Sequence, residues 1–185
     1  NYIPLNDESK EYDEIEEFMG QLFTNENVKK YMWLVLSTYL AGHTSEEKMH
    51  VWTGTASNGK SKLKELLTLA FGEYAINFPI TLLTGKRAKS NAATPEIEQS
   101  KGKRFAYLDE PDEGQRINVG LMKGLTGGDT IKARGLYKEP IEFKPQFKLV
   151  LLCNEIPKVP VGDEGTWRRM VITQFKSKFT ENPKG

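Results

Sequence analysis

The stretch Gly54-Thr55-Ala56-Ser57-Asn58-Gly59-Lys60-Ser61 decides how the rest of the chain is read. It fits the pattern G-x-x-x-x-G-K-[ST], follows the apolar-rich Met49-His50-Val51-Trp52, and opens into Leu63, Leu66, Leu67 and Ala70 at helical spacing. A strand, a loop and a helix are therefore expected in that order. Gly54 and Gly59 let the loop wrap with its N–H groups inward, the helix start adds the positive end of its dipole, and Lys60 adds a full charge, a combination suited to a polyphosphate. The expected ATP-binding set is Gly54, Ser57, Asn58, Gly59, Lys60, Ser61 and Lys62, with Ser61 also a ligand for Mg2+. The plainer alternative is a glycine-rich turn between a strand and a helix. A chance match to the pattern in a chain of this size is on the order of one in a hundred.

Composition narrows the field. The chain has 185 residues, room for one domain with a good core or for one domain and a small helical lobe. It begins at Asn1 without a methionine, as a piece of a longer protein would. Lysine and arginine number 26 against 25 acidic residues, so overall charge does not select an anionic partner. Local charge does differ: residues 7 to 17 are acidic, whereas Lys86, Arg87, Lys89, Lys101, Lys103 and Arg104 form a basic stretch. The single cysteine, Cys153, excludes an internal disulfide and suits a reducing compartment. The apolar runs near Trp33 to Leu36 and Leu149 to Cys153 are too short to span a bilayer, and no signal-peptide pattern opens the chain. A soluble intracellular protein is expected, with no membrane partner.

Taken in order, residues 1 to 44 read as an arm and a helical segment, and 45 to 185 as a phosphate-loop core. Ile15, Phe18, Met19, Leu22 and Phe23 share one helical face, and after an Asn25/Asn27 cap Val28, Met32, Val35, Leu36, Tyr39 and Leu40 form a second stripe. His43 and His50 have no cysteine near them and do not suit a zinc site. Tyr74 to Leu83 is expected as a strand interrupted by Pro79, Thr94-Pro95-Glu96 as a helix start, Phe105 to Leu108 as a strand, and Val119 to Leu125 as a short helix. Residues 130 to 134 and 141 to 144 read as a β-hairpin, and Phe147 to Cys153 and Val171 to Phe175 as the last strands. The expected class is α/β, with a mainly parallel central sheet.

In such folds ligands sit beyond the carboxyl ends of the strands. Three expected strands end in polar residues there: one in the 54–61 loop, one in Asp109-Glu110, one in Asn154. Asp109 is the expected second Mg2+ contact, Glu110 the base that polarises an attacking water, and Asn154 a holder of that water or of the γ-phosphate. The alternatives are a solvated acidic turn before Pro111 and an asparagine that caps its own turn. Arg168 and Arg169 are candidates for the guanidinium that a neighbouring subunit supplies in ring ATPases, or else a surface pair. Tyr137 and Lys138 at the hairpin tip, with Lys132 and Arg134 on its arm, join an aromatic surface to positive charge, the pairing that grips a single nucleic-acid strand; a structural hairpin is the alternative.

The order of these parts, with Gly127-Gly128-Asp129-Thr130-Ile131-Lys132-Ala133-Arg134 through Phe143-Lys144-Pro145 and Cys153-Asn154-Glu155-Ile156-Pro157, resembles the superfamily 3 helicases. It is most similar to the helicase module of the primase-helicases of poxviruses, other large DNA viruses and some phages, over about residues 45 to 176. The resemblance implies an AAA+-type core in a homohexameric ring, ATP sites between subunits, and 3′ to 5′ movement along single-stranded DNA during viral DNA replication, with a primase domain in the parent chain or as a partner. It implies Gly59, Lys60 and Ser61 as the first motif, Asp109 and Glu110 as the second, and Asn154 as the sensor. Lys132, Tyr137 and Lys138 then belong to the pore hairpin, Lys86 and Lys89 to a second pore-facing loop, and Arg169 to the finger with Arg168 in reserve. Two departures stand out: the chain contains no primase domain, and it stops just after the last core strand. Ring ATPases acting on duplex DNA, RNA or protein share the nucleotide residues, and only the hairpin discriminates them; against an assembly module gated by nucleotide with little turnover stand Glu110 and Arg169.

Overall fold

The computed structural model of the protein describes residues 6–85, 92–111, 115–159 and 163–181. Two helices come first, α1 (Lys10–Leu22) and α2 (Glu26–Ser37), capped by the side chains of Ser9 and Asn25. Strand β1 (Met49–Thr53) runs into the 54–61 loop and helix α3 (Lys60–Phe71). Then follow β2 (Ala75–Phe78), the short α4 (Thr81–Thr84) and α5 (Pro95–Gln99), β3 (Phe105–Leu108) and α6 (Val119–Thr126). A hairpin of β4 (Ile131–Ala133) and β5 (Ile141–Phe143) precedes β6 (Lys148–Cys153), the turn α7 (Glu164–Trp167) and β7 (Met170–Gln174).

Five strands form one sheet in the order β2-β3-β6-β1-β7, and every pairing in it is parallel. A parallel sheet is covered on both faces, and here β1 and β6 are buried along their whole lengths. The two-residue period of a strand sorts their side chains. Trp52, Phe105, Val150 and Leu152 face a core shared with α1, α2 and α3, where Met19, Leu22, Met32, Tyr39 and Leu63 are buried. Met49, Val51, Ala106, Leu149 and Leu151 face the opposite core, closed by Leu83 of α4 and by Met122 and Leu125 of α6. The expected α/β class and parallel sheet are thus the observed ones, with helices on both faces.

Three local readings change. The strand expected from Tyr74 to Leu83 ends at Phe78, and 81–84 form a helical turn instead. Pro79 has no N–H to continue the ladder, and the turn buries Leu83, whose carbonyl accepts from Asn118 N at 2.7 Å. Thr94 does precede a helix, but it makes no side-chain cap; its hydroxyl accepts from Arg134 N at 3.2 Å and ties the helix start to the hairpin. Ile15 and Leu40, expected in the apolar stripes, are exposed.

The end of the sheet where β1 begins holds two buried ionisable groups. Lys148 is 4% exposed and bonds the Glu46 carboxylate, and His50 lies beside them with its ring 5.5 Å from that of Tyr39. Burial, reinforced by the Lys148 charge, lowers the His50 pKa from 6.5 to about 4. The folded chain therefore holds a neutral imidazole that the unfolded chain protonates first. Its contribution is complete above pH 6.5, is lost as pH falls from 6.5 toward 4, and is flat below that. The loss amounts to about 3 kcal/mol at most. Urea denaturation across this range should show His50→Gln losing less stability on acidification than the unchanged chain; parallel curves would rule the assignment out.

Candidate functional site

Because β3, β6 and β1 are adjacent and parallel, their carboxyl ends lie side by side. That placement brings the 54–61 loop, Asp109-Glu110 and Asn154 together from three distant parts of the sequence. Gly54 has φ +143° and Gly59 φ +85°, backbone that side chains rarely adopt. Space is also closed to a larger residue: a Cβ on Gly54 would lie 2.4 Å from the Phe175 carbonyl oxygen, and one on Gly59 would lie 2.2 Å from Leu22 Cδ2 and 3.0 Å from Phe179 Cε2. The two glycines let the loop fold tightly between the end of β7 and the end of α1.

Lys60, only 8% exposed, turns back into this loop. Its ammonium donates to the Gly54 carbonyl, to the Thr55 carbonyl at 3.5 Å and to Asn154 Oδ1 at 3.4 Å. Burial lowers its pKa, and Cys153 and Glu110 act in the opposite direction. A buried ammonium among neutral oxygens is under-compensated, and an anion in the loop would supply the missing charge. The Cys153 thiol is itself pushed up to about 11, chiefly by burial, and stays neutral.

Asn154 joins Lys60 to Glu110. Its backbone N–H donates to Glu110 Oε1 at 2.9 Å and its Nδ2 to Glu110 Oε2 at 2.8 Å, while its Oδ1 faces Lys60. The expected alternative, an asparagine capping its own turn, gives way to a bridge across two strands. Asp109 is held differently: Lys64 pairs with it at 2.8 Å, with the Lys64 ammonium also 5.2 Å from the Tyr107 ring centre, and Asn77 Nδ2 stands 3.5 Å from its other oxygen. Ser61 and Lys62 are exposed at the start of α3, and Ser57 and Asn58 line the loop's outer recess. Lys64 and Asn77 were not singled out from the sequence. Lys64 lies one helical turn beyond Lys60, a spacing that could have placed it on the same face.

Arg168 and Arg169 are not brought to this cluster. They precede β7, and Met49 at the start of β1 donates to the Arg169 carbonyl at 2.7 Å, whereas the loop follows the end of β1. About 15 Å of strand separates the two ends. Both guanidinium groups bond Glu47 Oε2, Arg168 at 2.9 Å and Arg169 at 2.8 Å. Arg169 also donates to the Gly165 carbonyl and is 12% exposed, whereas the Arg168 side chain is 61% exposed. Glu47, with φ +51°, is a partner that no sequence pattern marked.

The hairpin forms a two-stranded sheet of its own, with Ile131 at its base packed against the core closed by α4 and α6. Tyr137, at φ +57°, is fully exposed beside exposed Leu136, Lys138 pairs with Glu98 at 3.0 Å, and Lys132 pairs across the strands with Glu142 at 3.6 Å. Arg134 is half-buried at the base. The expected second loop at Lys86 and Lys89 lies outside the described residues.

A sequence profile described as "Family of unknown function (DUF5906)" matches residues 52–169, a span running from β1 and the loop through Asn154 to the arginine pair. The chain belongs to this family. Its relatives are proteins of large DNA viruses. An Acanthamoeba polyphaga mimivirus protein named "Putative helicase L207/L206" is 46% identical over 98% of this chain and 19% of its own length. A Frog virus 3 protein named "Putative helicase 022R" is 32% identical over 88% of this chain and 17% of its own, and the African swine fever virus "Putative primase C962R" is 26% identical over 98% and 19%. The chain thus spans about a fifth of the length of these relatives. Two apo structures of the NrS-1 C-terminal region share the fold over 91% of this chain, with TM-scores of 0.70 and 0.64 at 18% and 15% identity. Among the described residues no helix is long and apolar enough to cross a membrane.

The packing of Gly59 against Leu22 and Phe179 has a measurable consequence. Gly59→Ala adds a methyl group at a closed position and at a φ that disfavours it, and should lower stability by about 1–3 kcal/mol. Gly72→Ala, where φ is +50° but nothing stands within 4 Å of the added Cβ, should cost less. Thermal denaturation of the two variants compares them directly.

Proposed function

We propose that this chain is the ATP-hydrolysing motor of a viral-type replication helicase of superfamily 3, working on single-stranded DNA as a homohexameric ring. The observation that carries the reading is the continuous polar bridge from Lys60 through Asn154 to Glu110, built at the carboxyl ends of adjacent strands beside a loop of phosphate-binding type. The helicase and primase names of the viral relatives support the same direction.

In this reading the loop N–H groups and the buried Lys60 ammonium hold the β- and γ-phosphates of ATP. On binding, Lys60 exchanges its neutral carbonyl partners for phosphate oxygens. Glu110 takes the proton of the attacking water, and Asn154 keeps that carboxylate directed at the γ-phosphate by occupying one lone pair on each of its oxygens. Mg2+ fits a ligand set of the Ser61 hydroxyl and the accessible Asp109 carboxylate completed by phosphate and water oxygens, and when bound it would neutralise charge on the transferred phosphoryl group. Lys64, now paired with Asp109, would release it for that purpose.

Hydrolysis at a site of this kind is helped by a further cation on the γ-phosphate. The arginine pair at the other end of the sheet suits completion by a neighbouring subunit, as the homohexamer requires. The resemblance favours Arg169 for this part, but Arg169 is braced between Glu47 and Gly165 whereas Arg168 is exposed, so Arg168 takes the part in this reading and Arg169 supports it. The fully exposed Tyr137 with Lys138 and Lys132 is the surface that would grip DNA in the ring's pore, and a primase is the expected companion in the parent protein.

ATPase assays with and without single-stranded DNA, read beside the mass of the assembly, test the whole reading. Lys60→Ala should abolish ATP binding. Glu110→Gln should bind ATP and lose about 10²- to 10⁴-fold in turnover. Full hydrolysis by the Glu110 variant would sink the assignment. In the hairpin, Tyr137→Ala with Lys138→Ala should leave basal hydrolysis intact and remove its stimulation by DNA; unchanged strand binding argues for another substrate. Arg168→Ala should lower turnover only in the assembled form, whereas Arg169→Ala should first lower stability.

A further inference from the structure

The segment after β7 does not leave the domain. The Phe175 N–H donates to the Thr53 carbonyl at 2.8 Å, and the Ser177 hydroxyl then donates to the carbonyls of Gln21 at 2.6 Å and Leu22 at 3.1 Å, groups that the end of helix α1 leaves unpaired. Two residues on, the Phe179 N–H donates to the Ser57 carbonyl at 2.7 Å. The segment is thus pinned at one point to the first helix and at the next to the 54–61 loop itself. The Phe179 ring, 39% exposed, leans over Gly59 opposite Leu22.

Beneath this strap is an open cavity of about 450 Å³ lined by Ser57, Asn58, Gly59, Ser61, Lys62 and Phe179, with Thr180 and Glu181 at its rim. Its volume is in the range of small-molecule sites. None of Lys60, Asp109, Glu110 or Asn154 lines it, so it is separate from the end of the loop where the terminal phosphate would react. Asn58 is 3% exposed, and its Nδ2 finds no acceptor among the described residues. That nitrogen is turned toward Gly54 and sealed from the recess, so the recess is read from Phe179 and the strap rather than from Asn58.

We propose that the strap of residues 175–181 builds the nucleoside pocket of the site, with the Phe179 ring packing on the face of the base. The proposal rests on the nucleotide reading of the 54–61 loop and assigns the half of the ligand that reading leaves without contacts. A nucleotide whose terminal phosphate lies by Lys60 and Asn154 would continue past Ser61 and Lys62, and the recess beside Phe179 is where its base would meet that ring. The strap also links ligand to architecture, since Ser177 anchors it to the end of α1 through the same short segment that carries Phe179 to the loop.

Calorimetric titration of the 185-residue chain with ADP and, separately, with inorganic tripolyphosphate distinguishes the two halves. Phe179→Ala should weaken ADP roughly tenfold to a hundredfold, the range of a lost base–aromatic contact, and leave tripolyphosphate within about twofold. Phe179→Tyr, which keeps the ring, should bind both as the unchanged chain does. Phe179→Leu keeps an apolar contact with Gly59 and Leu22 in case the alanine variant fails to fold, and should show the same selective loss. An equal loss for both ligands means that the strap only braces the loop, and it overturns the proposal, as does no loss for either. If the unchanged chain binds tripolyphosphate and the variants lose nothing for ADP, the pocket fails while the phosphate site stands; if it binds neither ligand, the nucleotide reading itself fails.

Discussion

The parallel pairing of β3, β6 and β1 is the constraint on which the rest of the molecule depends. Parallel neighbours in register place all their carboxyl ends at one edge of the sheet, so residues 54–61, 109–110 and 154 meet there although nearly a hundred residues separate the first from the last. The same pairing requires that both faces be covered, which is met by α1, α2 and α3 on one side and by α4 and α6 on the other. It also sends the arginine pair to the opposite edge. The 54–61 loop and the arginine pair thus lie at opposite ends of the same strand, β1.

Two buried ammonium groups show how differently charge is handled at those edges. Lys148 is matched by a carboxylate of its own chain, Glu46, and the arrangement is a closed structural one whose cost is felt by the neutral His50 beside it. Among the described residues Lys60 bonds only carbonyl and amide oxygens, and the Glu110 carboxylate stands behind Asn154. Burial therefore lowers the Lys60 pKa. The first lysine is complete, and the second is left wanting an anion.

Two of the exposed aromatic residues differ in the same way. Tyr137 is wholly in solvent at the tip of a hairpin whose base is tied to α5 through Thr94 and Arg134, so its ring contributes nothing to the core and is carried on a braced support. Phe179 is partly covered and packs on the loop.

Much of this was legible in the residues themselves. The loop is a local pattern whose spacing and flanking periodicity state both the turn and the helix after it, and apolar runs with polar ends placed Asp109, Glu110 and Asn154 at strand ends, because a buried strand leaves its mark in a short segment. The turn at 81–84 escaped because Pro79 can interrupt a strand or end it, and only the burial of Leu83 chose. Asn154 as a bridge between Lys60 and Glu110, Lys64 on Asp109, Glu47 joining both arginines, and the strap of Ser177 and Phe179 were decided by tertiary structure alone. Each depends on which strands lie side by side, and a hydrogen bond between residues a hundred positions apart has no periodicity to betray it.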